Sequence, residues 1–214
     1  MRKGITIKVC GIRQMSNRLR LERLPVDYFG FIFYPGSKRY VGDLPDKGLF
    51  ESNKSMVAVF VGENIRNITD ITKRYGFKLV QLHGNEDPAT CEKLRYQGLT
   101  IIKAFNLHER FDFNILNEYE ETTDYFLFDT RSDIPGGSGE KFNWDILRKY
   151  NGSKPFFLSG GIKPADAEII NTFRHPQLFG VDVNSGFETE PGIKDIEKLN
   201  FFLTKLYRHE LSYR

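Results

Sequence analysis

Eight short apolar runs recur along the chain at a nearly constant interval. Each interval of roughly 22–30 residues has room for one strand, one helix and two loops. A parallel strand needs a crossover of a dozen or more residues before the next strand begins. The spacing therefore predicts an α/β fold, a compact (β/α)8 barrel of the TIM-barrel class. The runs begin near Ile5, Phe29, Met56, Lys78, Thr100, Tyr125, Pro155 and Phe179.

Length and composition fit a single barrel domain. The 214 residues are 40% hydrophobic and 28% charged, which is ordinary for a globular protein. Barrels of this size fold as one unit, so we expect one domain over residues 1–214. The net charge of +3 comes from scattered Lys and Arg, which argues against nucleic acid as a partner. No apolar run approaches the roughly 20 residues that cross a bilayer, which argues against a membrane.

The cysteines and the N-terminus favour a cytoplasmic location. Cys10 and Cys91 form neither a disulfide framework nor the spacing of a zinc site. The basic start is followed by a short apolar stretch that contains Lys8, unlike a signal peptide. We expect no metal, and the oligomeric state, monomer or homodimer, stays open.

Helical periodicity varies along the chain. Apolar residues recur at helical spacing in Asn64–Arg74, Pro164–Phe173 and Asp195–Tyr207. Phe111–Glu121 is a further helix candidate. A proline and a glycine interrupt Gly42–Asn53, so we expect a turn or a stub there. The early helices of the barrel should therefore be short or degenerate.

Alternation along the strands places polar side chains inside the barrel. In the first strand the apolar Ile7 and Val9 should face the helices, so that Lys8 and Cys10 face the interior. Active sites of this barrel class lie at the C-terminal ends of the strands. We expect a site there, the alternative being polar residues that cap loops. The inward polar residues at those ends are Cys10, His83, Asp129, Ser159 and Asp182.

Glycine turns after the last two strands predict a phosphate site. Gly160–Gly161 and Ser185–Gly186 can bring backbone N–H groups close to an anion. These two loops are the usual phosphate site of the barrel. A third glycine-rich loop, Arg131–Lys141, follows the sixth strand. Its Gly137 and Gly139 would let it approach or cover phosphate, the alternative being a surface loop.

Six motifs in order resemble one enzyme family, the phosphoribosylanthranilate isomerases of tryptophan biosynthesis. The resemblance covers nearly the whole chain, and the order of all six motifs makes it specific. The stretches are KVCGI (Lys8–Ile12), GFIFYPGSKRYV (Gly30–Val41), VQLHGNE (Val80–Glu86), FDT with GGSGEKFNW (Phe128–Thr130, Gly136–Trp144), LSGGIKP (Leu158–Pro164), and GVDVNSGFE with PGIKD (Gly180–Glu188, Pro191–Asp195).

The resemblance implies an Amadori rearrangement of N-(5-phosphoribosyl)anthranilate without a cofactor. It implies that Cys10 is the general base, that Asp129 is the general acid, and that Arg39 meets the anthranilate carboxylate. The three glycine-rich loops would bind the phosphate of this small-molecule substrate. His83 is a candidate for substrate binding, with a hydrogen-bonded spacer as its alternative. Asp182 either binds substrate or orients Lys8.

The chemistry makes demands on Cys10 and Asp129. The base must be a thiolate, which a nearby cation favours. Lys8 lies roughly 7 Å away on the same strand face and could supply that charge, or could pair with Asp182 instead. The acid must carry its proton, which burial would favour.

The chain also departs from the usual family pattern. Lys38 stands where the family usually has Pro, and Asn184 where it usually has Ser. Glu140 and Asn143 replace a frequent Lys and Asp. These changes affect the loops and leave Cys10 unchanged.

Three other functions compete with this interpretation. Indole-glycerol-phosphate synthases have similar phosphate loops but usually carry an extension before the first strand and rely on Lys and Glu. A ribulose-phosphate epimerase would need metal-binding His residues, and the four His of this chain are not suitably placed. A barrel that only binds a phosphoribosyl ligand is the alternative of a different class.

Overall fold

The computed structural model describes residues 5–43, 45–129 and 144–211. Its centre is a closed barrel of eight strands in sequential order, each parallel to its neighbours. The predicted (β/α)8 barrel is confirmed. The strands are β1 (Thr6–Val9), β2 (Tyr28–Ile32), β3 (Ser55–Phe60), β4 (Leu79–Leu82), β5 (Thr100–Asn106), β6 (Tyr125–Asp129), β7 (Phe156–Ser159) and β8 (Leu178–Val183).

Helical segments connect the strands on the outside. The α-helices of the described residues are α1 (Met15–Leu21), α2 (Ile65–Tyr75), α3 (Pro88–Tyr96), α4 (Ala167–Thr172) and α5 (Ile196–Leu211). Shorter 3-10 helices span Lys47–Phe50, Phe113–Tyr119, Trp144–Lys149, Pro164–Asp166 and Ser185–Phe187. A small antiparallel hairpin, β9 (Glu188–Glu190) and β10 (Ile193–Lys194), follows β8 and was not predicted from the sequence.

The early helices are short, as predicted. Helix α1 has seven residues, and only a 3-10 turn of four residues joins β2 to β3. Helix α2 begins where the periodicity indicates, because the Asn64 side chain accepts a hydrogen bond from the backbone N of Asn67 at 2.9 Å. Helix α5 likewise begins at the predicted position.

Two predicted helices form differently. Phe111–Glu121 contains a 3-10 helix, because Asp112 accepts a hydrogen bond from the backbone N of Asn114 at 3.0 Å and tightens the first turn. Only Leu116 of this segment is buried, so little packing energy favours the wider α-helical turn. The segment beginning at Pro164 also opens as a 3-10 turn before it becomes α4.

The apolar core has two layers that follow strand alternation. The outer layer, between barrel and helices, includes Ile7 and Val9 of β1. The inner layer fills the barrel and includes Cys10, together with Leu127 and Phe157. The predicted assignment of β1 side chains to the two faces is therefore confirmed. Among the described residues, the helices are too short or too polar to span a membrane.

Adjacent phenylalanines on α5 test how much the outer layer contributes. Phe202 is fully buried and packs edge-on against Phe187 at 5.0 Å between ring centroids, whereas its neighbour Phe201 is 50% exposed. We expect Phe202→Ala to lower the free energy of unfolding by about 3–5 kcal/mol, because it removes a buried ring and leaves a cavity. Phe201→Ala is the matched control, with an expected loss below about 1 kcal/mol. Equal losses in urea unfolding would contradict this packing.

Candidate active site

A cavity of about 250 Å³ lies at the C-terminal ends of the barrel strands. It brings together every predicted site residue that the structure describes. Gly137 and Gly139 lie outside the described residues. The predicted residues at the cavity are Cys10, Arg39, His83, Asp129, Gly160, Gly161, Asp182, Ser185 and Gly186; Ile32, Tyr34, Ser37, Val59, Val61, Gln81, Ser159, Ile162 and Asn184 complete its lining.

Lys8 and Asp182 form a buried ion pair beneath Cys10. The barrel closes with Lys8 directly opposite Asp182, and Lys8 Nζ lies 2.9 Å from Asp182 Oδ1. The side chains are 0% and 5% exposed. Burial disfavours the ammonium, but Asp182 and Cys10 outweigh it and raise the pKa of Lys8. Asp182 therefore holds Lys8, one of the two alternatives open from the sequence.

Burial dominates the electrostatics of Cys10. The thiol is free and 3% exposed. Burial raises the pKa of Cys10 above its ordinary value; Lys8 and Lys194 oppose this effect, and Asp182 adds to it. Lys8 therefore favours the thiolate, as expected, without outweighing desolvation.

His83 lies between Gln81 and Asp129. His83 Nδ1 is 2.8 Å from Gln81 Nε2, and Nε2 is 3.5 Å from Asp129 Oδ2. Alternation along β4 places Gln81 and His83 on the same face, so both reach the cavity. His83 thus contacts a neighbour on its own strand and the carboxylate at the end of β6.

The glycine turns after β7 and β8 require glycine for different reasons. Gly160 and Gly161 have φ angles of +93° and +63°, which side chains rarely adopt. Gly186 instead lies against the neighbouring loop, because a Cβ there would come within 2.2 Å of the Ile162 carbonyl oxygen. The two turns are therefore packed against each other at one end of the cavity.

Arg39 is held by a carboxylate that sequence reasoning missed. Its Nε and Nη2 donate to Glu188 Oε1 and Oε2 at 2.8 and 2.6 Å. Glu188 Oε1 also accepts from Lys194 Nζ at 2.6 Å. Burial alone would raise the pKa of Glu188, but the bonds from Arg39 and Lys194 outweigh it and lower the pKa to about 2. The available signal was that Glu188 and Lys194 both lie within the matched motif stretches.

A second buried ion pair supports the loop that follows β4. Lys103 Nζ lies 3.1 Å from Glu86 Oε2 and donates to the Gly84 carbonyl at 2.7 Å. Glu86 accepts hydrogen bonds from the backbone N of Gly62 and Gly84. These contacts fix the residues after His83. Glu86 also lies within a matched motif, but sequence reasoning gave it no role.

The described part of the chain contains no cluster of three or more His, Cys, Asp or Glu side chains arranged to hold a metal ion. The polar groups at the cavity are instead a thiol, carboxyls, an imidazole, a guanidinium and backbone N–H groups. Such groups can bind an anionic molecule and transfer protons.

A parallel barrel with a polar cavity at the C-terminal ends of its strands defines the class of (β/α)8-barrel enzymes. A sequence model of the N-(5'-phosphoribosyl)anthranilate (PRA) isomerase family matches residues 7–205. The N-(5'-phosphoribosyl)anthranilate isomerase of Parabacteroides distasonis is 45% identical over 204 residues, covering 94% of this chain and 92% of that protein. The chain therefore belongs to the N-(5'-phosphoribosyl)anthranilate isomerase family, and it is an isomerase.

Solved structures agree with this assignment. Monomers of the dimeric phosphoribosylanthranilate isomerase of Thermotoga maritima superpose with a TM-score of 0.82 at 29% identity, covering 95% of this chain and 99% of theirs. A phosphoribosylanthranilate isomerase in complex with reduced 1-(o-carboxyphenylamino)-1-deoxyribulose 5-phosphate gives 0.75 at 28% identity, covering 94% of this chain and 98% of its own.

The low pKa of Glu188 predicts an acid-sensitive contribution to stability. Because the folded pKa of Glu188 is about 2, below the ordinary 4.5, its ionised form stabilises the fold. This stabilisation is fully present above pH 4.5 and is lost as the pH falls towards 2. We expect Glu188→Gln to cost about 3 kcal/mol of unfolding free energy at pH 7, and less than about half of that at pH 3. Urea unfolding at both pH values measures the difference.

Glu190→Gln is the matched control, because Glu190 lies exposed on the same hairpin. It should cost little at either pH. A loss for Glu188→Gln that is the same at pH 7 and pH 3 would contradict the charge-dependent contribution.

Proposed function

We propose that this isomerase catalyses the Amadori rearrangement of N-(5-phosphoribosyl)anthranilate to 1-(2-carboxyphenylamino)-1-deoxyribulose 5-phosphate, a step of tryptophan biosynthesis. One observation carries the proposal: a thiol from β1, a carboxyl from β6 and the glycine turns after β7 and β8 line one cavity. Membership of the family supplies the substrate, and the cavity supplies groups suited to each part of it.

The two ends of the substrate would be held by different groups. Phosphate would lie against the turns at Gly160–Gly161 and Ser185–Gly186, whose backbone N–H groups can converge on an anion. At the other end the anthranilate carboxylate would meet the guanidinium of Arg39, which suits a bidentate contact. Between them, the ribose would contact His83 and the Asp182 carboxylate oxygen that does not bond to Lys8, since both side chains also line the cavity.

Proton transfer opens the sugar ring and moves the double bond. Asp129 gives its proton to the ring oxygen while the C1–O bond breaks and the nitrogen lone pair forms a C1=N iminium. The Cys10 thiolate then removes the proton from C2, and the electrons of that bond form an enolamine. The enolamine becomes the ketone by moving a proton from the enol oxygen to C1. One turnover leaves Cys10 protonated and Asp129 ionised; loss of the thiol proton to solvent and uptake of a proton by Asp129 restore both groups, so turnover needs no cofactor.

The electrostatics of Cys10 set the pH dependence of this step. Burial raises the pKa of the Cys10 thiol, so the thiolate is the minority form at neutral pH. A buried thiolate is a stronger base than an exposed one once formed, and general base catalysis contributes about 10²–10⁴-fold. Lys8 and Lys194 provide the positive charge that makes this form accessible.

Related structures support the proposed ligand and bear on the oligomeric state. The ligand in one related structure carries the o-carboxyphenylamino and 5-phosphate groups of the proposed product. The Thermotoga maritima relative is described as dimeric, so either a monomer or a homodimer suits this chain. A free thiol as the base favours a reducing cytoplasm as the location.

A turnover assay distinguishes this function from a barrel that only binds a phosphoribosyl ligand. The anthranilate fluorescence of N-(5-phosphoribosyl)anthranilate is lost on conversion, so purified protein should cause a catalytic decrease in emission. Binding without that decrease would favour the non-catalytic alternative.

Substitution of the proposed base and acid tests the mechanism. We expect Cys10→Ser and Asp129→Asn each to lower kcat by about 10²-fold or more, because each removes one proton-transfer group. Unfolding free energy should change little. The matched controls are Cys91→Ser, a buried thiol on α3, and Asp145→Asn, an exposed carboxylate. Near-normal turnover in either active-site variant would remove that residue from the chemistry.

Substitution of Arg39 tests carboxylate recognition. We expect Arg39→Ala to raise KM by about 10–100-fold, more than it lowers kcat, because a charge-assisted bidentate contact is lost. Lys38→Ala is the control, since Lys38 is exposed in the same loop. An unchanged KM in steady-state kinetics would argue against a carboxylate contact at Arg39.

A further inference from the structure

Arg39, Glu188 and Lys194 form a row of alternating charges at the wall of the cavity, which we call the charge triad. Glu188 is bonded on one side by the Arg39 guanidinium and on the other by Lys194 Nζ, each with a closest distance of 2.6 Å. The Lys194 and Glu188 side chains are 0% and 6% exposed, whereas that of Arg39 is 20% exposed. Two of the three charges are thus buried behind the one that reaches the cavity.

We propose that Glu188 and Lys194 are positioning residues that orient Arg39 and keep it effective as a carboxylate receptor. Resting on the proposed function, this inference assigns recognition of the substrate's aromatic carboxylate to the whole triad and not to Arg39 alone.

The orientation of Arg39 follows from which atoms it uses. Its bonds to Glu188 occupy the Nε–Nη2 side of the guanidinium. The Nη1–Nη2 end remains the side that a carboxylate in the cavity can approach. Holding one side of the fork by two short bonds fixes the direction of the other. A fixed guanidinium loses less side-chain entropy when a ligand binds.

The net charge of the triad explains the need for Lys194. Glu188 alone would neutralise Arg39 and weaken its attraction for an anion. Lys194 adds a second positive charge, so the triad keeps one net positive charge. Burying an ammonium is costly unless it is paired, and Lys194 is therefore placed against Glu188 at a stabilising distance. In contrast, the pair formed by Lys8 with the cavity residue Asp182 has no net charge.

Hydrogen bonds to the backbone of the hairpin anchor the triad. Asn17 on α1 binds the main chain of Lys194 twice, donating to its carbonyl and accepting from its N–H, both at 2.8 Å. Glu188 Oε1 also accepts from the backbone N of Gly192 at 3.0 Å. The hairpin of β9 and β10 therefore holds both positioning residues in place.

Asn184 links the triad to the proposed phosphate turn. Its Oδ1 accepts a hydrogen bond from Lys194 Nζ at 2.7 Å, and the next two residues are Ser185 and Gly186. Asn184 also lies over Gly11, where an added Cβ would meet both its Oδ1 and Arg39 Cδ within 3 Å. One connected set of contacts thus joins the two ends of the proposed substrate site.

Kinetics of Lys194→Met with two substrates test the proposal. The first is N-(5-phosphoribosyl)anthranilate, and the second is N-(5-phosphoribosyl)aniline, which lacks the carboxylate. We expect KM for the first to rise about tenfold or more and KM for the second to change less than about twofold. Lys194, like Lys8 and Asp182, also acts electrostatically on Cys10. Its loss is therefore expected to lower kcat by the same factor for both substrates. The ratio of the two KM values is therefore the diagnostic quantity.

A double-mutant cycle and a matched control complete the test. In an Arg39→Ala background, Lys194→Met should have little further effect on KM, because the group it positions is gone. Lys198→Met is the control: Lys198 Nζ donates to the Glu188 backbone carbonyl at 3.0 Å but is 46% exposed and outside the triad. Additive effects in the cycle, or an equal rise in KM for both substrates, would overturn the proposal.

Two further measurements keep the outcome clear. Lys194→Gln, which can still hydrogen-bond to Glu188 and Asn184, replaces Lys194→Met if circular dichroism shows that the latter is unfolded, and it should give the same KM ratio. Calorimetric titration with reduced 1-(o-carboxyphenylamino)-1-deoxyribulose 5-phosphate measures binding without turnover. If the variant bound this ligand more weakly than the wild-type protein, and the wild-type protein showed no turnover, the triad would be supported and the proposed function refuted. Unchanged binding would overturn the triad.

Discussion

The ion pair between Lys8 and Asp182 lies where the barrel closes, and the geometry of the cavity depends on it. The first and last strands pair in a register that sets these two residues opposite each other. A buried charge without a partner would cost several kcal/mol, so a shift of this register by one residue would be strongly disfavoured. The same register pairs Val9 with Val183, so that Cys10 and Asn184, the residues that follow them, lie at adjacent strand ends. The closure of the fold and the placement of the proposed base therefore have a common cause.

Burial creates the central tension of the site. As the proposed base, Cys10 would need a cavity from which water is excluded, but that burial raises the pKa of the thiol. The nearest cation, Lys8, is already neutralised by Asp182. The additional positive charge near Cys10 comes from the charge triad, in which two cations, Arg39 and Lys194, share one carboxylate, Glu188. Lys194 on the hairpin outside the barrel thus adds positive charge that the neutral Lys8–Asp182 pair of the barrel strands does not provide.

The features that could be predicted from the sequence are those that depend on local periodicity. Alternation along β1 correctly assigned Lys8 and Cys10 to the interior, because strand faces depend only on neighbouring residues. The 3-10 helix at Phe113–Tyr119 was not predicted, since its form depends on how little of it packs against the barrel. The partner of Arg39 was beyond sequence reasoning for a further reason. Glu188 is 149 residues away, and nothing in the spacing indicates that the loop after β2 meets the hairpin after β8.

The missed residues share a physical character that explains both their burial and their omission. Glu86, Lys103, Glu188 and Lys194 are charged side chains almost wholly removed from water. A charged residue in a sequence is usually taken as surface, because only its three-dimensional partner can compensate its desolvation. Each of these pairs also bonds to loop backbone, at Gly84 for one and Gly192 for the other. Burying them costs stability relative to an apolar pair, but directional bonds fix loops in a way that apolar contacts cannot. The loops that carry His83 and face Arg39 are therefore held by charge and not by packing alone.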